Sequence, residues 1–524
     1  MRKSLLPEKY HTYVYIFALI LLVIGMPLSK FLMSLSQIIL ACNFFLEGNL
    51  KHKFFSFFKN KPALIISSLF LLHLLGLFYT TDFEFALKDI RIKMPLFIFP
   101  IVFSTSKPLS KKAIDAILQF FVAAIILGTI ISTLILTGII HRDLVDVRNV
   151  SIFISHIRFA LLICIALFIS GYFFYKASTP SFKIVWVAIP LWLLTFLVIT
   201  ESITGLAAFC FTTLVMTGYV TLKSTKKIVK FSGFVIIGLI ALAVFYFSNQ
   251  INKGIPEPEK LDFSKLETTT SRGNVYQHDL TGKLTENGHY IWVYYCNDEL
   301  EESWNKRSEI KFLEKDLKGN PLNFTLVRFL ASKGLRKDAD AVESLSEGEV
   351  KAIERGVVNV NYQNVSSLNR RLHEIAWELD VYKTTGDPSG HSLTQRFEFW
   401  KAAIGIIKDN IFIGVGSGDI KNEFEAQYDK MNSPLAKESR LRSHNQYLSI
   451  TAAFGIVGLI WFLITLFYPM ILLGKTFDYL FISFLLIAIV SFLTEDTLES
   501  QAGVTFYAFF NSFFLFVFRK REES

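Results

Sequence analysis

Long stretches of apolar residues without charge alternate with short charged segments along most of the chain. A hydrocarbon core about 30 Å thick takes about 20 helical residues. Stretches of that kind fall near 11–28, 31–46, 62–80, 92–104, 113–139, 151–175, 183–199, 202–221, 231–248, 447–472, 477–493 and 502–518. The pattern predicts an all-α polytopic membrane protein with about twelve transmembrane helices. The stretch at 92–104 is short and contains Pro95 and Pro100, so it reads as broken or re-entrant, a geometry tolerated only where protein covers the backbone. A long polar segment separates the ninth stretch from the tenth. Three regions follow: a transmembrane bundle at 1–248, a large, mostly helical loop domain at 249–446, and a second group of spans with a short tail at 447–524.

Charge orients the bundle. One set of short loops carries Lys51, Lys53, Lys59 and Lys61, then Lys107, Lys111 and Lys112, then Lys223, Lys226, Lys227 and Lys230, and finally Arg519, Lys520 and Arg521. The alternate set carries Asp82, Glu84, Asp89, Asp143, Asp146, Glu201, Glu495, Asp496 and Glu499 with few cations. The positive-inside rule then predicts cytoplasmic termini and places 249–446 outside the cytoplasm, in the periplasm of a cell with two membranes. Within this loop, Gly288 to Asn297 alternates and follows an Asn287-Gly288 turn signal, which predicts a strand. Ser366 to Tyr382 and Ser392 to Lys408 read as amphipathic helices. Leu345 to Val357 reads as a third, with Ser346 and Glu349 spaced as a capping box.

Composition narrows the function classes. Hydrophobic residues are 52% of the 524 and charged residues only 19%, and the blockwise arrangement excludes an ordinary soluble enzyme. The net charge of +9 sits at span ends, so topology accounts for it and a nucleic-acid partner is not expected. Cys42, Cys164, Cys210 and Cys296 offer no pair for a disulfide in the polar part and no CxxC, so neither a redox centre nor a metal site is expected. The first apolar block lacks a small-residue cleavage motif and is expected to direct insertion itself.

Four stretches carry candidate chemistry. In Arg440 to Trp461 (RLRSHNQYLSITAAFGIVGLIW) a His-Asn pair sits where the loop re-enters the membrane, with Gly455 and Gly458 beyond it allowing close helix approach. His444 there either simply begins a helix or takes a proton from a hydroxyl near neutral pH. In Thr394 to Phe424, Arg396 opens an amphipathic helix, and the Gly414-Val-Gly416-Ser-Gly418 turn either offers backbone N–H groups to an anion or packs as a flexible turn. Arg158 falls about eight residues into the sixth stretch, roughly 10–12 Å from its outer end. It either faces a partner or wet cavity or snorkels outward. Glu495, Asp496 and Glu499, between the last two spans, are either a binding or basic group or a solvated acidic loop.

SHNQYLSITAAFGIVGL, Ser443 to Leu459, resembles the His-Asn…Gly-x-x-Gly signature of the O-antigen ligase and polymerase superfamily. RFEFWKAAIGIIKDNIFIGVGSG, Arg396 to Gly418, is similar to its Arg…Trp…Gly-x-Gly stretch. TESITGLAAFC, Thr200 to Cys210, and HIRFALLICIALF, His156 to Phe168, match its mid-membrane segments more loosely. EDTLESQAGVTFYAFF, Glu495 to Phe510, is like versions from Bacteroidetes. The resemblance implies a GT-C-like architecture in the bacterial inner membrane and a metal-independent, inverting glycosyl transfer without cofactors. The donor is a glycan on undecaprenyl diphosphate, and the acceptor is a sugar hydroxyl of lipid A–core. It further implies His444 as the base or acceptor-orienting group, and Arg396 and Arg158 as contacts of the diphosphate. Asn445, Arg440 and Arg442 are candidate supporting residues. An anionic leaving group suits arginines and needs no carboxylate nucleophile.

Three other functions compete: an O-antigen polymerase with the same donor, a protein O-glycosyl ligase, and a lipid-linked oligosaccharide transporter. The last is disfavoured, since transporters of this kind tend to have repeat halves and short loops.

Overall fold

A computed structural model of the chain describes residues 7–142, 147–279, 281, 283–363, 365–474 and 478–518. Asp143, Asp146, Arg519, Lys520 and Arg521, invoked above for orientation, lie outside the described residues. The protein is an all-α polytopic membrane protein with almost no sheet.

The first eleven helices are α1 (Glu8–Leu28), α2 (Lys30–Leu46), α3 (Leu50–Lys59), α4 (Lys61–Leu75), α5 (Phe83–Lys93), α6 (Pro95–Thr105), α7 (Lys111–Leu136), α8 (His156–Lys176), α9 (Pro180–Ile199), α10 (Ile203–Lys223) and α11 (Lys227–Lys253). Side-chain caps set several of their starts: Ser29 accepts from the Leu32 N–H, Asn60 from Ala63 and Asp82 from Phe85. Among the described residues nine helices are long and apolar enough to cross a bilayer alone, or ten if one bent pair counts as a span. The expectation of about twelve differs for identifiable reasons. After α2 the chain turns through Gly48 and Asn49, both at positive φ, and α3 leaves at 110°. α6 has only 11 residues, opening on Pro95 and closing where Thr105 and Ser106 turn their hydroxyls back to Ile101 and Val102. The third short helix, at 479–494, has 16 residues.

Residues 237–395 form a compact unit of their own. Here β1 (Thr285–Glu286) and β2 (His289–Tyr290) pair through the Asn287-Gly288 turn. The expected strand over 288–297 stops after Tyr290, and the positive φ of Tyr294 takes the backbone out of extended geometry. Helices α12 (Asn297–Arg307), α13 (Leu322–Ser332), α14 (Ala339–Glu343), α15 (Glu347–Glu354) and α16 (Ser367–Thr385) follow. Trp304, Phe312, Leu326, Phe329 and Val342 fill their core. The capping box at α15 is formed, with Ser346 and Glu349 each accepting from the other's backbone N–H. All four cysteines of the chain are free.

The chain then rejoins the membrane helices, with α17 (Thr394–Asp409), α18 (Ile420–Lys430), α19 (Gln446–Leu472), α20 (Tyr479–Thr494) and α21 (Gln501–Ser512). Residues 396–446, expected to lie with the loop domain, group instead with the membrane helices. The cause is a backbone seam. Gly455, at φ 65° and ψ −168°, breaks α19 and frees the carbonyls of Ala452 and Ala453. These accept N–H groups from Val415 (3.1 Å) and Gly416 (2.8 Å), while the Ile456 N–H donates to Ile411 (2.8 Å). A bilayer admits an unwound helix only where its polar groups are re-satisfied, and segment 411–416 does that. Glycine is required on both sides: a Cβ on Gly455 would lie 2.1 Å from the Phe412 carbonyl carbon, and one on Gly414 2.3 Å from that of Ala453. Gly455 therefore serves to break a helix and Gly414 to fit the seam. Gly458 is the residue that faces α4, where Leu72 would lie 3.7 Å from its Cβ.

Candidate active site

The turn between α18 and α19 carries the His-Asn pair, and two neighbouring carboxylates set its shape. Asn445 caps α19, its Oδ1 accepting from the N–H groups of Tyr447 (3.0 Å) and Leu448 (3.1 Å). Asp496, just beyond α20, accepts from the backbone N–H of His444 (2.9 Å) and of Asn445 (3.0 Å), and from the hydroxyls of Ser449 (2.7 Å) and Ser443 (3.2 Å). This grip holds His444 at φ 46°, a left-handed conformation that costs a non-glycine residue of order 1–3 kcal/mol. The imidazole lies against the Phe399 ring of α17, centroids 5.6 Å apart, with its side chain 30% exposed.

Glu495 connects this histidine to the arginine expected at the start of α17. One carboxylate oxygen is 3.4 Å from His444 Nδ1, and the other accepts from Arg396 Nη2 at 2.8 Å. Arg396 Nη1 donates to the Thr494 carbonyl. Burial pushes the Glu495 carboxyl up, but the hydrogen bonding and charge of His444, then the charge of Arg396, outweigh it, so it titrates below its ordinary value. It is therefore ionised at neutral pH. In the neutral tautomer that donates Nδ1–H to Glu495, the Nε2 lone pair of His444 is the one left to take a proton.

Arg158 stands in the first turn of α8, not about eight residues inside a span. Ile152, Phe153 and Ile154 are apolar but not helical, so the helix starts only at His156. The guanidinium is half-buried and feels the charges of Glu495 and Asp496. Among the described residues it makes no hydrogen bond or ion pair. It lines a small cavity with Met26, Ile154, Thr497, Gly503 and Phe506.

Arg442 belongs to a second ionic group under the same turn. Its Nη1 donates to Glu499 (2.9 Å), and Glu499 also takes Lys93 Nζ (2.8 Å). Lys93 reaches Asp89 (3.0 Å) and the Leu498 carbonyl (2.5 Å) as well, and Asp89 is 3.2 Å from His73 Nδ1. Burial pushes the Glu499 carboxyl up, and the charges of Lys93 and Arg442 bring it below its ordinary value. Burial pushes Arg442 down, and Glu499, Asp496 and Asp89 raise it overall, so it stays cationic. Arg440 is elsewhere, donating to Asp429 on α18 (2.6 Å) and to the Leu435 carbonyl (3.2 Å).

Residues 355–463 match the family described as O-antigen ligase. This segment is similar to O-antigen ligase domains. No curated protein matches the chain. The segment holds Arg396, Arg440, Arg442, His444 and Asn445, while Arg158 and the carboxylates at 495–499 lie outside the matched residues. Together with the many apolar helices of the chain, this match supports a multi-pass membrane enzyme of the O-antigen ligase and polymerase type, whose partners are in general a lipid-linked glycan and a glycan acceptor.

The structure thus brings His444, Arg396, Arg158 and Arg442 to one end of the bundle and leaves Arg440 outside the group. The Gly414–Gly418 turn is not an anion cradle. Val415, Gly416 and Gly418 spend their N–H groups on Ala452, Ala453 and the Thr80 hydroxyl. Glu495, Asp496 and Glu499 are not a solvated loop but organise the site. Sequence reading used Asp89 only for orientation and passed over Lys93, although their i,i+4 spacing next to a span was a visible signal of a paired buried charge.

Proposed function

We propose that the protein is an O-antigen ligase-type glycosyltransferase. It moves a glycan from undecaprenyl diphosphate to a sugar hydroxyl of lipid A–core at the outward face of the inner membrane, with inversion and without a metal. The observation that carries this reading is the convergence of a partly exposed imidazole and Arg396 on one partly buried carboxylate, Glu495, with Arg158 near enough to feel its charge.

His444 Nε2 takes the proton of the acceptor hydroxyl as its oxygen attacks the anomeric carbon from the face opposite the diphosphate. The C–O bond to the diphosphate breaks, and its electron pair goes to the departing phosphate oxygen. Charge grows there by one unit, and Arg158 and Arg396 are placed to offset it. The donor's lipid stays in the bilayer, which suits a site at the helix ends.

The test is transfer by purified protein from a defined undecaprenyl diphosphate-linked glycan to candidate acceptors, with a chelator present. His444→Ala should remove transfer by at least about 100-fold while the protein stays folded. A His444→Ala variant as active as wild type would end the assignment. In cells, loss of the gene should leave full-length chains unattached to core. A single repeat on core would indicate a polymerase instead, and lost glycoprotein with unchanged lipopolysaccharide a protein ligase.

A further inference from the structure

Glu495 divides its carboxylate unequally. The contact with Arg396 is short, at 2.8 Å, and that with His444 Nδ1 is long, at 3.4 Å. Arg396 is otherwise held only by a backbone carbonyl, while Arg158, close enough to feel the same carboxylate, has no partner among the described residues. A dianionic diphosphate arriving at Arg158 competes with Glu495 for Arg396. A bidentate guanidinium–phosphate contact is strong enough to win that exchange.

We infer that Glu495 is a positioning residue shared between the two halves of the reaction: it occupies Arg396 until an isoprenoid diphosphate displaces it, and then closes on His444. This rests on the reading of His444 as base and Arg396 as diphosphate contact. In the empty site the carboxylate is engaged mainly by Arg396, and its hydrogen bond to the imidazole is long. When the diphosphate takes Arg396, the full carboxylate faces Nδ1–H, fixes the tautomer and raises the basicity of Nε2. The base is strengthened only when a donor is present, so proton removal from acceptor or water is linked to donor occupancy. The charged and titratable groups facing Glu495 are His444 from the turn before α19, Arg396 from α17 and Arg158 from α8, with its neighbour Asp496 committed to the 443–449 turn.

Glu495→Gln keeps the shape and one acceptor for Arg396 but removes the charge. Two measurements on the full-length protein in detergent test the inference. In binding, farnesyl diphosphate should bind the variant several-fold more tightly than wild type, because Arg396 is no longer neutralised. Arg396→Gln should then weaken binding more in the Glu495→Gln background than in wild type. In transfer, the variant should show a lower donor KM together with a kcat reduced about 10- to 100-fold, as expected when a group orienting a reactive histidine is lost. A carboxylate that merely braces the fold would raise the donor KM or leave it alone. Tighter diphosphate binding without any wild-type transfer would uphold the exchange and overturn the transferase reading. Normal wild-type transfer with unchanged or weaker binding by Glu495→Gln would overturn the exchange alone. No diphosphate binding by either protein would overturn both.

Discussion

Lys93→Met tests the ionic group beneath the active-site turn, independently of any activity. Lys93 is fully buried, and its ammonium donates to Glu499 at 2.8 Å, to Asp89 at 3.0 Å and to the Leu498 carbonyl at 2.5 Å. Methionine fills similar volume without the charge. Removing one partner of a buried ion pair costs about 3–5 kcal/mol, because the other charge is left uncompensated. Here neither carboxylate becomes an orphan, since Asp89 keeps His73 at 3.2 Å and Glu499 keeps Arg442 at 2.9 Å. The lower end, about 3 kcal/mol, is therefore expected, with a fall in Tm of roughly 3 °C for a chain of this length. The pH dependence has a definite sign. Burial pushes Asp89 and Glu499 up, and Lys93, with His73 beside Asp89 and Arg442 beside Glu499, brings both below their ordinary values. In wild type, stability from these groups is complete above the usual carboxylate range and is lost as pH falls through the depressed values. In the variant each carboxylate has lost one cationic partner and titrates higher, so protonation at lower pH removes part of the difference. The gap in Tm between the two proteins should be widest near pH 7.5 and narrow toward pH 5, as read by tryptophan fluorescence in one detergent. A variant within about 1 °C of wild type at pH 7.5, or a gap that does not change with pH, would refute the argument.

Three further outcomes follow from the same geometry. Gly455→Ala places a Cβ 2.1 Å from the Phe412 backbone in a conformation open almost only to glycine, so it should cost more than about 3 kcal/mol and yield little monodisperse protein; a variant that purifies and melts like wild type would remove the seam from the account. Arg440→Ala cuts a guanidinium tied to Asp429 and Leu435 away from Glu495 and should leave the donor KM within about two-fold of wild type, whereas a tenfold rise measured in the transfer assay would bring Arg440 into the site. A cysteine at exposed Lys351 should react with an impermeant maleimide on intact cells stripped of their outer membrane; reaction only after lysis would put the 237–395 unit on the cytoplasmic side and rule out a lipid-linked donor presented from outside.

The apolar helices, the capping box at Ser346 and the candidate pair of Arg396 and His444 were legible in the sequence because each leaves a local signature: hydropathy, a three-residue spacing, or a polar group beside a span. What escaped depends on partners far along the chain. The break at Gly455 is stabilised by residues about forty positions earlier, so it reads locally as a small residue in a helix. The start of α8 was placed too early because Ile152, Phe153 and Ile154 look like membrane residues although their backbone is not helical. For Glu495, Asp496 and Glu499, polarity reveals charge but not burial. Only the docking of α5, α17 and the 443–445 turn around them supplies the cations that make burial tolerable.

The charge balance of the site explains why it persists without substrate and how it can still receive one. Asp89, Glu495, Asp496 and Glu499 lie among Lys93, Arg158, Arg396 and Arg442, so the formal charges of these eight groups cancel. A concentrated set of unpaired arginines beneath a membrane surface would be costly in the free protein and would attract any phosphate headgroup nearby. Neutralising them internally lowers both costs, but it also means that a diphosphate gains attraction only by exchange. The exchange need not disturb every pair. Lys93 and Arg442 are locked to Glu499 below the turn, whereas Arg396 shares its carboxylate with an imidazole that can keep it, and Arg158 has no ion pair among the described residues to give up. The two arginines expected to meet the donor are thus those whose release costs least. The two that hold the fold are the ones a ligand would find hardest to take.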